Sequence, residues 1–146
     1  MTASANAAEP DDALIRDVLT SVRTIALVGA SPKPERPAHQ VQRYLQEAGY
    51  EVHPVNPGQA GKEILGRRVY ASLAEVPGPI DMVDIFRNSE AAGRVVDEAL
   101  DLNPLPRVIW MQIGVRNEAA AARAREKGVI VIMDRCPKIE HARLLT

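Results

Sequence analysis

Apolar positions along the chain switch repeatedly between two periods. From Asp11 they recur at helical spacing, at Ile15, Val18, Leu19 and Val22, with Pro10, Asp11 and Asp12 where a helix start favours them. Thr24–Val28 is then an unbroken apolar run that stops at Gly29, the pattern of a strand buried on both faces. A second helical face, Val41, Tyr44, Leu45 and Ala48, follows Pro37 and ends at Gly49. Further strands are expected at Glu51–Val55, Asp81–Phe86, Arg107–Met111 and Val129–Met133. Two helices separate the last three. One buries Ala92, Val95, Val96, Ala99 and Leu100 behind an Asn88 or Ser89 cap; the other runs from an Asn117 cap to Lys127, with Gly128 as its stop. Pro137 opens a last short helix toward Leu145.

Strands alternating with helices of this length form parallel βαβ units with right-handed crossovers. The fold class expected is α/β, a three-layer Rossmann-like arrangement around a five-stranded parallel sheet. Two places strain the pattern. Pro54 lies inside the second strand, where its missing N–H suits an edge or a bulge. Residues 57–80 hold no full crossover helix, only Ser72-Leu73-Ala74-Glu75, which has the form of a capping box on a short turn. The expected organisation is a flexible tail over residues 1–10 and one domain over 11–146.

Length and charge narrow the function. A chain of 146 residues and 15.9 kDa should fold to roughly 7,000 Å² of surface from about 23,000 Å² unfolded, so it needs no staple. With 18 basic and 19 acidic residues the net charge is −1, and aromatics are 3%. That leaves neither the field nor the stacking surface of a nucleic-acid binder. Cys136 is the single cysteine, and His39, His53 and His141 lie far apart, so neither a disulfide nor a metal cluster is expected. The first dozen residues do not read as a signal peptide and the longest apolar runs are too short for a bilayer. The expected setting is reduced, soluble and cytoplasmic.

Open parallel sheets bind ligands beyond the carboxyl ends of their strands. The first such segment is Gly29-Ala30-Ser31-Pro32-Lys33-Pro34-Glu35-Arg36-Pro37. Gly29 permits a sharp turn, Ser31 brings a hydroxyl, the following helix offers free N–H groups to an anion, and Lys33 and Arg36 add charge. It is not a dinucleotide fingerprint: Ser31 and Pro34 stand where glycines are needed. The second strand ends in Asn56-Pro57-Gly58 instead of an acid, and Glu51 lies at the wrong end of that strand.

Several short segments in order carry a resemblance. Val28-Gly29-Ala30-Ser31, Val55-Asn56-Pro57 with Gly61 and Leu65-Gly66, and Val69-Tyr70-Ala71-Ser72-Leu73 resemble the CoA-binding domain family, which also supplies the nucleotide-binding end of the succinyl-CoA synthetase α subunit. Trp110-Met111-Gln112-Ile113-Gly114 and Asp134-Arg135-Cys136-Pro137-Lys138 resemble its single-domain members. The resemblance spans about residues 12–144. It implies coenzyme A across the carboxyl edge of the sheet, with the Gly29–Ser31 loop at the diphosphate. It also implies Asn56 and Pro57 at the adenosine end, with Lys62 or a nearby base as a phosphate partner. Phe86-Arg87-Asn88 and Gln112-Ile113-Gly114 would flank the pantetheine arm.

Plainer readings stand beside these. Asn56-Pro57 is also a turn signal, Asn88 and Ser89 are also helix caps, and Gln112-Ile113-Gly114 is also a strand-to-helix turn. His39 is either a ligand group or a solvated helix residue; His53 is expected to be packed and His141 to be at the surface. Cys136, between Arg135 and Lys138 at a helix start, is either a small buried residue or a thiol able to pair with that of coenzyme A. Asp81 and Asp84 point to opposite faces of a strand and cannot share a proton. No catalytic constellation emerges. In the synthetase, the resemblance places the phosphorylatable histidine and the nucleotide-grasp partner in domains that would follow this one. The expected function is therefore non-catalytic binding of coenzyme A or acyl-CoA, as carrier, sensor or protective cap. The alternatives are a subunit of an acyl-CoA ligase needing a separate ATP-grasp partner, and a sensor of NAD or an adenine nucleotide. A homodimer or docking to an acyl-CoA enzyme is compatible with either.

Overall fold

The computed structural model describes residues 9–146. The elements are α1 (Asp12–Ser21), β1 (Thr24–Val28), α2 (Pro37–Glu47), β2 (Glu51–Val55), β3 (Glu63–Ile64), β4 (Arg67–Arg68), β5 (Met82–Ile85), α3 (Ser89–Leu100), β6 (Val108–Met111), α4 (Glu118–Glu126), β7 (Ile130–Ile132) and α5 (Pro137–Leu145). The main sheet has five parallel strands in the order β2-β1-β5-β6-β7. The accessible surface of the chain is 7146 Å², in line with the mass scaling.

Alternation along each strand divides the core into two layers. Ala26, Val28, Val83, Ile85, Ile109, Met111 and Val131 face α3 and α4. Ile25, Leu27, Met82, Val108, Trp110 and Ile132 face α1, α2 and α5. With both faces covered, each strand must be apolar at every position, which explains the unbroken runs. In the inner strands the departure is Asp84: it is fully buried at the middle of the central strand, and neither carboxylate oxygen has a partner, whereas the buried polar residue of the outer strand, His53, is paired with Glu51. Burial pushes the Asp84 pKa well above the ordinary carboxylate value.

Pro54 is accommodated because β2 is the outer strand. The Pro54 carbonyl accepts from the Tyr70 amide at 3.0 Å, away from β1, so its missing N–H falls on the same outer rim. No crossover helix fills residues 57–80. A single 3-10 turn (Pro57–Gln59), the β3–β4 hairpin and a second 3-10 turn (Leu73–Glu75) make the crossing, and Leu73, Val76 and Ile80 bury into the α3–α4 layer. The hairpin has no counterpart in the sequence reading. The expected capping box does not form: Ser72 makes no side-chain cap bond, and the Leu73 amide donates instead to Glu98 Oε1 of α3 at 2.7 Å.

The expected tail lies mostly outside the described residues. Of its last two members, Glu9 pairs with Arg116 at 2.7 Å and Pro10 is buried, so the packed chain starts ahead of Asp11. His53 is packed as expected, with Nε2 2.7 Å from Glu51. His141 is not a free surface residue; it is half-buried, with Nδ1 2.8 Å from the Tyr44 hydroxyl. No helix among the described residues is long and apolar enough to cross a membrane.

Candidate functional site

Strand order reverses between β1, whose chain leaves toward β2, and β5, whose chain leaves toward β6. Two clefts open there along the carboxyl edge, and they share Pro37 and Phe86 as a common wall.

The first cleft encloses about 370 Å³ and is lined by Gly29, Ala30, Ser31, Lys33, Arg36 and Asn56 among others. Gly29 has φ +93°, and a Cβ there would lie 2.4 Å from the Phe86 carbonyl oxygen. The loop is braced from three sides. Gly29 and Ala30 both donate to the Val55 carbonyl, at 2.9 and 3.3 Å. Asn56 Nδ2 donates to the Ala30 carbonyl at 2.8 Å while its Oδ1 accepts from Gly58 at 2.8 Å. His39 lies buried beneath, with Nδ1 2.9 Å from the Ser31 carbonyl. A carbonyl only accepts, so Nδ1 carries the proton and Nε2 accepts from Arg43 at 3.3 Å.

This geometry redistributes the expected roles. The amides of Gly29 and Ala30 are already committed to Val55, so anion contact falls to Ser31 and the first turn of α2. That turn offers one amide, that of Ala38: Pro37 has no N–H, and His39 and Gln40 donate to the Arg36 carbonyl at 3.0 and 3.2 Å. Arg36 at the N-cap makes no side-chain cap bond, whereas Asp11, Asn88 and Asn117 cap α1, α3 and α4. Lys33 and Arg36 are exposed beside it. His39 is neither a solvated residue nor a group reaching into the cleft; it holds the loop from below. No carboxylate lines this cleft.

The second cleft encloses about 580 Å³. Val41, Val115, Ile113 and Ile139 give it apolar walls; Arg87, Gln112, Lys138 and Cys136 supply its polar atoms. Gln112 is 7% exposed and its Oε1 has no partner. Ile113 and Ile139 are among the few large apolar side chains left exposed, at 59% and 51%. Cys136 is the N-cap of α5 and makes no cap bond, so this helix too opens onto the edge. The two helices without a side-chain cap are the two whose starts line the clefts.

Besides His39, four expected residues fall outside both clefts. Pro57 only opens a 3-10 turn, and Lys62 lies in the turn leading to the hairpin, its carbonyl accepting from Val69. Asn88 is the cap of α3, its side chain accepting from the Ala91 amide at 2.8 Å. Gly114 turns the chain at φ +85°, and its amide donates to Asp134 at 2.7 Å. Conversely Gln59, Gln40, Val41, Val115, Lys138 and Ile139 line the clefts without having been singled out. An exposed isoleucine in the first turn of α5 was the one available signal for Ile139.

The sequence pattern of the CoA binding domain matches residues 23–142. The chain is 44% identical over 133 residues to the uncharacterised protein YneT of Bacillus subtilis, covering 91% of this chain and 96% of that one. A solved structure of a hypothetical protein from Pyrococcus horikoshii superposes with a TM-score of 0.88 at 40% identity, covering 100% of this chain and 99% of that one. The α subunit of the ADP-forming acetate–CoA ligase I of Pyrococcus furiosus is 34% identical over 86 residues, 56% of this chain but only 19% of the subunit.

Proposed function

The chain belongs to the CoA binding domain family, and from that premise we propose that it binds coenzyme A or an acyl-CoA without turning it over. The observation that carries this reading is the chemical gradient along one edge. A cationic cleft with an open helix start runs, past Phe86, into an apolar cleft with an unpartnered amide oxygen. Coenzyme A has the same polarity along its length: a diphosphate, then an arm of methylenes and amides ending in a thiol. The Ser31 amide, the first turn of α2, Lys33 and Arg36 hold the diphosphate. Val41, Val115 and Ile139 cover the arm, and Gln112 accepts an arm amide.

Binding without turnover is favoured by the histidines. His39, His53 and His141 are each engaged by a neighbour, and none lines either cleft. NAD is disfavoured because no carboxylate stands in the first cleft to hold a ribose diol. A second reading, a ligase component working with a separate ATP-grasp protein, draws on the similarity to the acetate–CoA ligase α subunit.

Titration calorimetry with coenzyme A, ADP and NAD separates these readings. Coenzyme A should bind one per chain and ADP should compete for the same site more weakly. Tighter binding of NAD than of coenzyme A would overturn the proposal. ATP-dependent thioester formation with a co-purified partner would replace it with the ligase reading.

A further inference from the structure

Building on the coenzyme A reading of this furrow, we propose that Cys136 is a thiol–disulfide exchange site that captures coenzyme A from its disulfide form as a protein–CoA mixed disulfide. Cys136 is the chain's single cysteine, so a disulfide it forms within one molecule must be with a small thiol. It is 6% exposed, yet it lines the apolar cleft. The segment before it is pinned: Trp110 Nε1 donates to the Arg135 carbonyl at 2.8 Å, and the Arg135 amide donates to Met111 at 3.3 Å.

A second observation on the same cleft points to the ligand. Gln112 is 93% buried by its 7% exposure, and its Oε1 lacks a donor. An unmet buried carbonyl is costly; this one is sealed behind the cleft wall that Gln112 forms, and a turn of the side chain that presents it to an entering N–H relieves it. The pantetheine arm carries amide N–H groups a short way behind its sulfur. An arm that meets Gln112 therefore brings its sulfur into the cleft that Cys136 lines.

The exchange balances without an outside oxidant beyond the disulfide itself. Cys136 loses its proton and its sulfur attacks one sulfur of CoA disulfide. A Cys136–CoA disulfide forms, the original S–S bond breaks, and the departing CoA thiolate takes up the proton. Lys138 and the uncapped start of α5 provide positive potential for the charge that passes between sulfurs. A disulfide lacking the nucleotide end, such as glutathione disulfide, gains no such placement, so CoA disulfide should react at least about tenfold faster at equal concentration.

Intact-mass time courses of the reduced full-length chain with each disulfide test this, beside calorimetry of reduced protein with coenzyme A. The expected result is one CoA adduct per chain, reversed by dithiothreitol, absent in Cys136→Ser, and formed at least about tenfold faster than the glutathione adduct. Gln112→Ala should slow the CoA reaction and leave the glutathione rate unchanged. Heat of coenzyme A binding with no adduct, or with equal rates for the two disulfides, overturns the exchange site and leaves the binding reading standing. Equal rates without any binding heat overturn both.

Discussion

Gly29 and Phe86 meet where the strand order reverses: the Phe86 amide donates to Val28 at 2.8 Å, and a Cβ on Gly29 would sit 2.4 Å from the Phe86 carbonyl oxygen. The two clefts share Phe86 as a wall, so this contact sets their separation. Gly29→Ala adds both a backbone clash and a strained φ. It should lower stability by about 2 kcal/mol or more and abolish coenzyme A binding, read by thermal melts and calorimetry. A variant that melts and binds as the wild type does would refute the tight-approach role.

Charge at the first cleft is the next test. Lys33→Glu with Arg36→Glu should weaken coenzyme A by on the order of tenfold or more and flatten the salt dependence of its affinity. Both residues are exposed, so the melting temperature should stay nearly unchanged.

Beneath that cleft, His39 bridges Ser31 and Arg43. Replacing it by Ala leaves a part-buried carbonyl without its donor, a loss of about 1 kcal/mol. Affinity for ADP should fall with it, because the loop loses its support. Equal ADP affinity in His39→Ala would show that the loop is held well enough by Asn56 and Val55.

Trp110 is the single tryptophan, fully buried, and tied to the segment that precedes Cys136. Coenzyme A in the second cleft, or an adduct on Cys136, should shift its emission. ADP, confined to the first cleft, should leave it still. A spectrum that responds equally to both ligands would break the assignment of the two clefts.

Asp84 makes stability depend on pH with a definite sign. Its folded pKa is raised by burial, so above about pH 4 the unfolded chain has released a proton that the native state keeps. Stability therefore falls as pH rises from about 4 toward the raised folded value. Asp84→Asn should remove that slope in denaturant titrations between pH 4 and 8, and Asp84→Leu should raise neutral-pH stability by on the order of 1–3 kcal/mol. A slope that survives in Asp84→Asn would assign it to other groups.

Legibility followed the range of the forces involved. Strand positions such as Ile25, Leu27 and Met82 are readable because burial on both faces leaves an uninterrupted apolar signature. The β3–β4 hairpin is not, since two-residue strands have no period to detect. The capping box at Ser72 satisfied the local pattern and still lost, because Glu98, 25 residues on, reaches the Leu73 amide once α3 has docked. The same holds at the site. Gly29, Ser31 and Lys33 were found from their place after β1, but commitment of two loop amides to Val55 depends on strand pairing. The bracing role of His39 depends on how α2 seats against the loop, eight residues away in sequence from Ser31.

Pro54 has one more effect. The proline's lost donor interrupts the outer rim of β2, and Tyr70 already occupies the acceptor beside it. A stray peptide or a second molecule cannot stitch itself onto that border as an added ribbon. Strand-to-strand self-association is thereby barred at this margin, which acts as a built-in guard against fibrous growth there, and the open margin of the sheet is the β7 side.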